Sequence, residues 1–235
     1  MKRFFGRKES ENTIIIEEDE FFHLKKVLRM KEGDNIIACI NDENDYYCTI
    51  KNFDKNFCRC EIDKVEKNIA ITNRDITLFQ MLPKKEYLDS IIPKSIELGV
   101  NEIYFFTSEW TMIKSIKEER VKQQILSACK QCERSRLLEV HPLLKFDEMV
   151  EKLKEYDLVV FPYENEEVEN KFNPDILNGK QKIAVVVGNE AGFSEKEALK
   201  IKSEKVSAIS LGTRILRCDT AVTSILALVS ILSNN

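Results

Sequence analysis

An α/β domain preceded by a small β-barrel is the fold class that this sequence predicts, and three observations carry the expectation. Residues 1–72 are dominated by β-forming runs split by turn residues. From about Asn73 onward, apolar strand patterns alternate with helical ones, which is the order of a βα architecture. Two of those strands, Leu158–Pro162 and Ile183–Val187, are apolar at nearly every position, as in a parallel sheet covered on both faces.

Taken in order, Ile36–Ile40, Tyr46–Ile50 and Phe57–Val65 read as strands. Gly33-Asp34 and Asn41-Asp42-Glu43-Asn44 separate them as turns. One helix interrupts the barrel over Glu20–Met30, where Phe21, Leu24, Val27 and Leu28 share a face. In the second part, Ile76–Leu82 is a strand and Lys85–Leu98 a helix stopped by Gly99, with Pro93 expected to kink it. Glu102–Phe106 is the next strand. Ser115-Ile-Lys-Glu118 has the form of a capping box opening a helix that runs to about Arg134, and Ser194-Glu-Lys-Glu197 is a second such box. Val206–Leu211 is the last strand and Thr220–Leu232 the last helix, the latter apolar nearly all round.

Composition narrows the function classes. The chain has 235 residues, 36 basic and 40 acidic side chains and a net charge of −4, with 43% hydrophobic residues. That is a core-forming composition, without an apolar run of membrane-spanning length or a signal-peptide pattern. Seven scattered cysteines argue for a reducing cytosol, and so for a cytoplasmic protein without disulfides. Cys58-Arg59-Cys60 and Cys129-x-x-Cys132 lack the Gly-rich knuckles of a zinc ribbon, and with only His23 and His141 no metal is expected. Net acidity argues against coating nucleic acid through bulk charge, but it leaves room for local basic patches. Lys25, Lys26, Arg29 and Lys31 form one cluster. A longer basic stretch runs from Lys114 to Arg136.

Three of the seven glycines, Gly188, Gly192 and Gly212, fall just after the last two strands. Ligands of open α/β sheets bind beyond the carboxyl ends of the strands, and glycine there lets a ligand approach the backbone. Tight turns into helices explain such glycines equally well. No G-x-G-x-x-G or phosphate-loop lysine is present, so a dinucleotide or NTP site is not expected.

The two loops carry more together than apart. Val187-Gly188-Asn189-Glu190-Ala191-Gly192-Phe193-Ser194-Glu195 is followed by Leu211-Gly212-Thr213-Arg214-Ile215-Leu216-Arg217-Cys218-Asp219-Thr220-Ala221. This pair resembles the RsmE family of SPOUT methyltransferases, whose usual pattern is G-P-E-G-G-F-S-x-x-E, then L-G-x-R-I-L-R-x-E-T-A. The likeness covers nearly the whole chain. It includes Met1-Lys-Arg-Phe-Phe5, His23-Leu-Lys-Lys-Val-Leu-Arg-Met30 with Gly33-Asp34, Glu97-Leu-Gly-Val100 and Gln131-x-x-Arg134. The chain departs from the pattern at Asn189, Ala191, Asp219 and Trp110.

The resemblance implies a PUA-like RNA-binding barrel over 1–72. It implies a SPOUT methyltransferase domain over 73–235, with a deep trefoil knot at its C-terminal end and a homodimeric assembly. The implied reaction is S-adenosylmethionine-dependent methylation of uracil N3 in 16S ribosomal RNA, with the 30S subunit as context. It assigns the cofactor pocket to Pro162, Gly188, Glu190, Gly192, Leu211, Gly212, Ile215 and Leu216. Arg217, or Arg214, would stabilise charge developing on the uracil. Glu190 and Asp219 are the candidate bases. An Arg217–Asp219 ion pair that merely orders the loop is the plain structural alternative. Arg3, Lys25, Lys26, Arg29, Arg134 and Arg136 are the expected RNA contacts, as guanidinium and ammonium groups suited to phosphate. Two rival functions stay open: a non-catalytic RNA-binding relative with a degraded pocket, and a small-molecule enzyme with a regulatory barrel.

Overall fold

The computed structural model describes residues 1–112, 115–202 and 206–233, in two compact units. The first comprises Met1–Ile71 with Leu126–Leu137, and the second Thr72–Ile125 with Leu138–Asn235.

The first unit is built on a six-stranded sheet. Its strands are β1 (Lys2–Phe5), β2 (Arg7–Ser10), β3 (Thr13–Glu17), β4 (Asn35–Cys39), β5 (Asn44–Phe53) and β6 (Phe57–Lys67), in the order β1-β4-β5-β6-β3-β2. All its neighbours are antiparallel except β1 and β4. Phe4, Ile14, Ile16, Leu24, Ile36 and Ile50 are completely buried in its core, together with Cys58 and Cys60. Sequence reading missed the β2–β3 hairpin. All of Arg7–Ser10 is exposed, so β2 lacks the alternation that marks a half-buried strand. The predicted helix over Glu20–Met30 is instead α1 (Glu18–Phe22) running into a π-helical turn, His23–Val27.

The second unit holds an all-parallel seven-stranded sheet. Its strands are β7 (Asp75–Met81), β8 (Glu102–Thr107), β9 (Glu139–Val140), β10 (Leu144–Lys145), β11 (Leu158–Pro162), β12 (Lys182–Val187) and β13 (Val206–Ile209). The order is β10-β8-β7-β12-β11-β13, with β9 beside β8. Strands β11 and β12 carry almost no exposed residue, as their continuous apolar sequences require. The helices are α2 (Lys85–Glu97), α3 (Glu118–Gln131, which passes from the second unit into the first), α4 (Phe146–Lys152), α5 (Glu195–Ile201) and α6 (Cys218–Ser233). Pro93 lies inside α2, and Gly99, at φ +81°, follows its last turn. The start predicted for α3 is corrected. The helix opens at Glu118, with Val121 N donating to Lys117 O, and Ser115 lies outside it. Lys114, at the head of the basic stretch, lies outside the described residues. Among the described residues no helix is long and apolar enough to cross a membrane.

Candidate functional site

Strands β11, β12 and β13 are neighbours, and their carboxyl ends deliver Pro162, Val187 and Ile209 to one edge of the sheet. The loops that follow enclose a pocket of about 290 Å³. All eight positions expected to hold cofactor line it: Pro162, Gly188, Glu190, Gly192, Leu211, Gly212, Ile215 and Leu216. Tyr163, Glu164, Ser210, Thr213, Arg214, Cys218 and Ala221 join them. The same strand-end rule, applied one or two residues beyond Pro162, would have found Tyr163 and Glu164.

The loop after β12 is held by its own side chains. Asn189 Oδ1 accepts from Ala191 N at 2.9 Å, and Gly192 N donates to Asn189 O at 3.1 Å. An asparagine closing on the residue two ahead makes an Asx-turn. Proline cannot form that bond through its side chain, so Asn189 brings a restraint of its own to a position that is usually proline. Ala191 is absent from the non-glycine residues at positive φ, so its Cβ brings no left-handed strain. Gly192, by contrast, sits at φ +70°. Glu190 Oε1 accepts from Lys84 N at 2.8 Å, tying the loop to the residue before α2. Ser194 caps α5 and accepts from Glu197 N, while Glu197 accepts from Ser194 N: the predicted capping box is present.

The loop after β13 is different. Gly212, Thr213, Arg214, Ile215 and Arg217 are exposed, and the Ile215 side chain is 93% exposed. Gly212 takes φ +108°, and a Cβ built on it would meet nothing within 4 Å. That combination asks for glycine on conformational grounds and leaves open space in front of it. Asp219 opens α6, but it does not line the pocket. Its Oδ2 accepts from Ser90 Oγ at 3.1 Å and lies 3.8 Å from Lys94 Nζ. The alternative of an Arg217–Asp219 pair is therefore replaced by contacts to α2. The Cys218 thiol lines the pocket, yet burial, with Glu190 and Asp219 adding to it, pushes its pKa up to about 12. It stays protonated at neutral pH and is no nucleophile.

Of the RNA candidates, Lys25 and Lys26 line a hollow in the first unit with Phe21, Phe22, Lys55 and Phe57. Lys25 Nζ lies about 5 Å above the rings of Phe21 and Phe53, and Phe22 is exposed. Arg29 is exposed, at φ +54°. Arg136 is half-buried and pairs with Glu43 at 3.0 Å. Two candidates are corrected. Arg3 is 8% exposed and bound through both terminal nitrogens to Asp45, the second bond at 3.0 Å. Burial opposes its charge, but the Asp45 bonds outweigh that and raise its pKa. Arg134 is 2% exposed, and burial lowers its pKa. Neither guanidinium is presented to solvent, because both belong to the interior of the first unit.

Comparison with known proteins follows the same division. A family model described as an RNA methyltransferase domain matches residues 71–230, and one described as an RNA methyltransferase PUA domain matches 16–63. Ribosomal RNA small subunit methyltransferase E of Buchnera aphidicola subsp. Schizaphis graminum is 30% identical over 90% of this chain and 87% of its own length. The protein of that name from Aquifex aeolicus is 29% identical over the full length of both. A crystal structure of the Neisseria gonorrhoeae ribosomal RNA small subunit methyltransferase E, bound to S-adenosyl methionine, superposes with a TM-score of 0.86. It is 25% identical and covers 99% of this chain and 98% of its own.

Proposed function

The chain belongs to the ribosomal RNA small subunit methyltransferase E family, and from that membership we propose that it uses S-adenosylmethionine to methylate uracil N3 in 16S ribosomal RNA. The carrying observation is that one pocket gathers all eight assigned positions, seven from the two loops together with Pro162 at the end of β11. The residues present fit the cofactor. Ile215, Leu216 and Pro162 offer apolar surface to an adenine, and the carboxylates of Glu164 and Glu190 suit a sulfonium cation. The open space before Gly212 admits a ligand against backbone. The Asx-turn at Asn189 and the unstrained Ala191 weigh against a degraded pocket.

Bound there, the cofactor supplies an electrophilic methyl group. The protein must hold a uracil in line and take the N3 proton. Glu190 is the base we propose, because it lines the pocket while Asp219 is occupied by Ser90 and Lys94. One Glu190 oxygen is anchored on Lys84 N, which orients the carboxylate so that the other can take the proton. Arg217, with Arg214 on the pocket wall, stabilises the negative charge that spreads onto uracil O2 and O4 as the proton leaves.

The first unit is proposed as the RNA-binding part. Lys25 and Lys26 beside the exposed Phe22 combine cations with an aromatic face, which is what an unstacked base and its phosphate require. Replacing Lys25 and Arg29 by alanine should weaken RNA binding and flatten the log–log salt dependence by up to about two units, leaving cofactor affinity unchanged. The knotted threading of the C-terminal segment, the two-fold dimer, the 30S context and the cytoplasmic location belong to the same proposal. Helix α6 buries Val222, Ile225, Leu226 and Val229 fully, yet leaves Ile231 62% exposed, which leaves apolar surface for a second copy. Light scattering that returned a single-chain mass at micromolar concentration would remove the dimer. Mass spectrometry of 16S ribosomal RNA from cells with and without the protein tests the reaction itself. An unchanged methyl-uridine content would overturn it.

A further inference from the structure

Away from the pocket, at the amino-terminal end of β8, the register places Glu102 directly opposite Glu139 of β9. Two carboxylates facing each other on adjacent strands repel, and such a pairing is destabilising unless something cationic lies between them. His141, two residues beyond Glu139 and so on the same side of its segment, supplies the third group. Its Nε2 lies 2.9 Å from a Glu102 oxygen and 3.7 Å from a Glu139 oxygen. One ligand atom from each of the three residues falls within 4.8 Å of the others. Among the described residues no lysine or arginine forms an ion pair with either carboxylate. The imidazole is also held in place. It stacks on Tyr104 with centroids 4.0 Å apart and planes 3° from parallel, and its backbone N–H donates to Ile103 O.

We propose that Glu102, Glu139 and His141 form a site for a divalent transition-metal ion of the zinc type. Metal–ligand bonds of about 2.0–2.2 Å in a tetrahedron set ligand atoms roughly 3.4 Å apart, and the observed 2.9 and 3.7 Å bracket that spacing. Two carboxylates and a neutral imidazole balance a 2+ charge, and the mixture of imidazole and carboxylate is the donor set that zinc accepts. Glu139 is largely exposed, so water reaches the fourth position. The ion would staple the short β9 segment to β8. It would act on the architecture, since the methyl-transfer pocket lies at the carboxyl ends of other strands. Scarcity of histidine argues against a metal when only the sequence is read, whereas the strand register is what assembles these three groups.

The test is titration of the chelator-treated, reduced full-length protein with Zn²⁺ by calorimetry, and with Co²⁺ by absorbance. The expected result is one equivalent bound, a Co²⁺ spectrum without thiolate charge transfer, and affinity lowered at least about tenfold in both His141→Ala and Glu102→Gln. Glu139→Gln, at an exposed position, guards against variants that fail to fold, and Cys132→Ser should bind like the wild type. Absence of binding, binding undiminished in His141→Ala, or a thiolate band from Co²⁺ would each overturn the site.

Discussion

The two loops that build the pocket differ in what holds them. The loop after β12 is closed by an Asx-turn at Asn189, an anchor from Glu190 to Lys84 N, and a capping box at Ser194. The loop after β13 exposes five of the seven residues between Leu211 and Arg217, with an isoleucine almost wholly in solvent. One loop is finished before any ligand arrives. The other has apolar surface and an open glycine whose natural complement is a ligand. Exposing so large an apolar group costs free energy that burial against an adenine would recover, at about 25 cal/mol per Å² covered. Binding should therefore order the second loop while leaving the first nearly unchanged.

Gly212→Val gives the largest effect expected from that contrast. Valine at φ +108° is strained by about 1–3 kcal/mol, and its side chain occupies the open space. No neighbour lies within 4 Å of the new Cβ, so the fold should persist, with the melting temperature lowered only by the several degrees that this backbone strain accounts for. Cofactor affinity should fall at least about 100-fold, or about 2.8 kcal/mol, by calorimetry. Wild-type affinity in this variant would mean that the second loop is not the ligand-bearing one.

Arg217→Ala comes next. The side chain is exposed and outside the pocket wall, so cofactor affinity should stay within about twofold. Single-turnover methylation of 30S particles should slow about 10²-fold or more, as when other electrostatic donors are lost. Lost cofactor affinity with an intact rate at saturation would make Arg217 a binding residue. The two carboxylates then sharpen the difference between the loops. Glu190→Gln keeps an oxygen for Lys84 N, so the first loop stays closed while the rate falls about 10²-fold or more. Asp219→Asn keeps contact with Ser90 and should cost less than about threefold in rate. The reverse ranking would move the base to the start of α6.

The same contrast accounts for what could be read in the sequence. Leu158–Pro162 was legible to the residue because a strand covered on both faces is written as one apolar run. The Ser194 box was legible because its reciprocal bonds span three residues. What escaped depends on distance along the chain. Arg3 looked like a surface cation until Asp45, far away in sequence, enclosed it. Glu190 is a candidate base from its place in the loop, but its anchor on Lys84 N, far away in sequence, is not legible there. Ser115 and Glu118 had the spelling of a capping box, but the helix took its first turn at Glu118. Local spelling permits a cap, and tertiary packing decides where the helix begins.

The smallest expected effect tests how far the first loop is self-sufficient. Ser194→Ala removes the hydroxyl that accepts from Glu197 N, and Ala is a poor N-cap. The loss should be about 1 kcal/mol, a few degrees in melting temperature for a chain of this size. Glu197 can still accept from the Ser194 position's backbone N–H, so half of the box survives. Asn189 and Glu190 lie before the cap and hold the loop through Ala191 N and Lys84 N, neither of which depends on the hydroxyl. Cofactor affinity should therefore change by less than about threefold while stability falls. A loss of affinity that tracks the loss of stability would show that the loop after β12 is ordered by α5 rather than by its own hydrogen bonds. The two loops would then be alike in needing an outside partner.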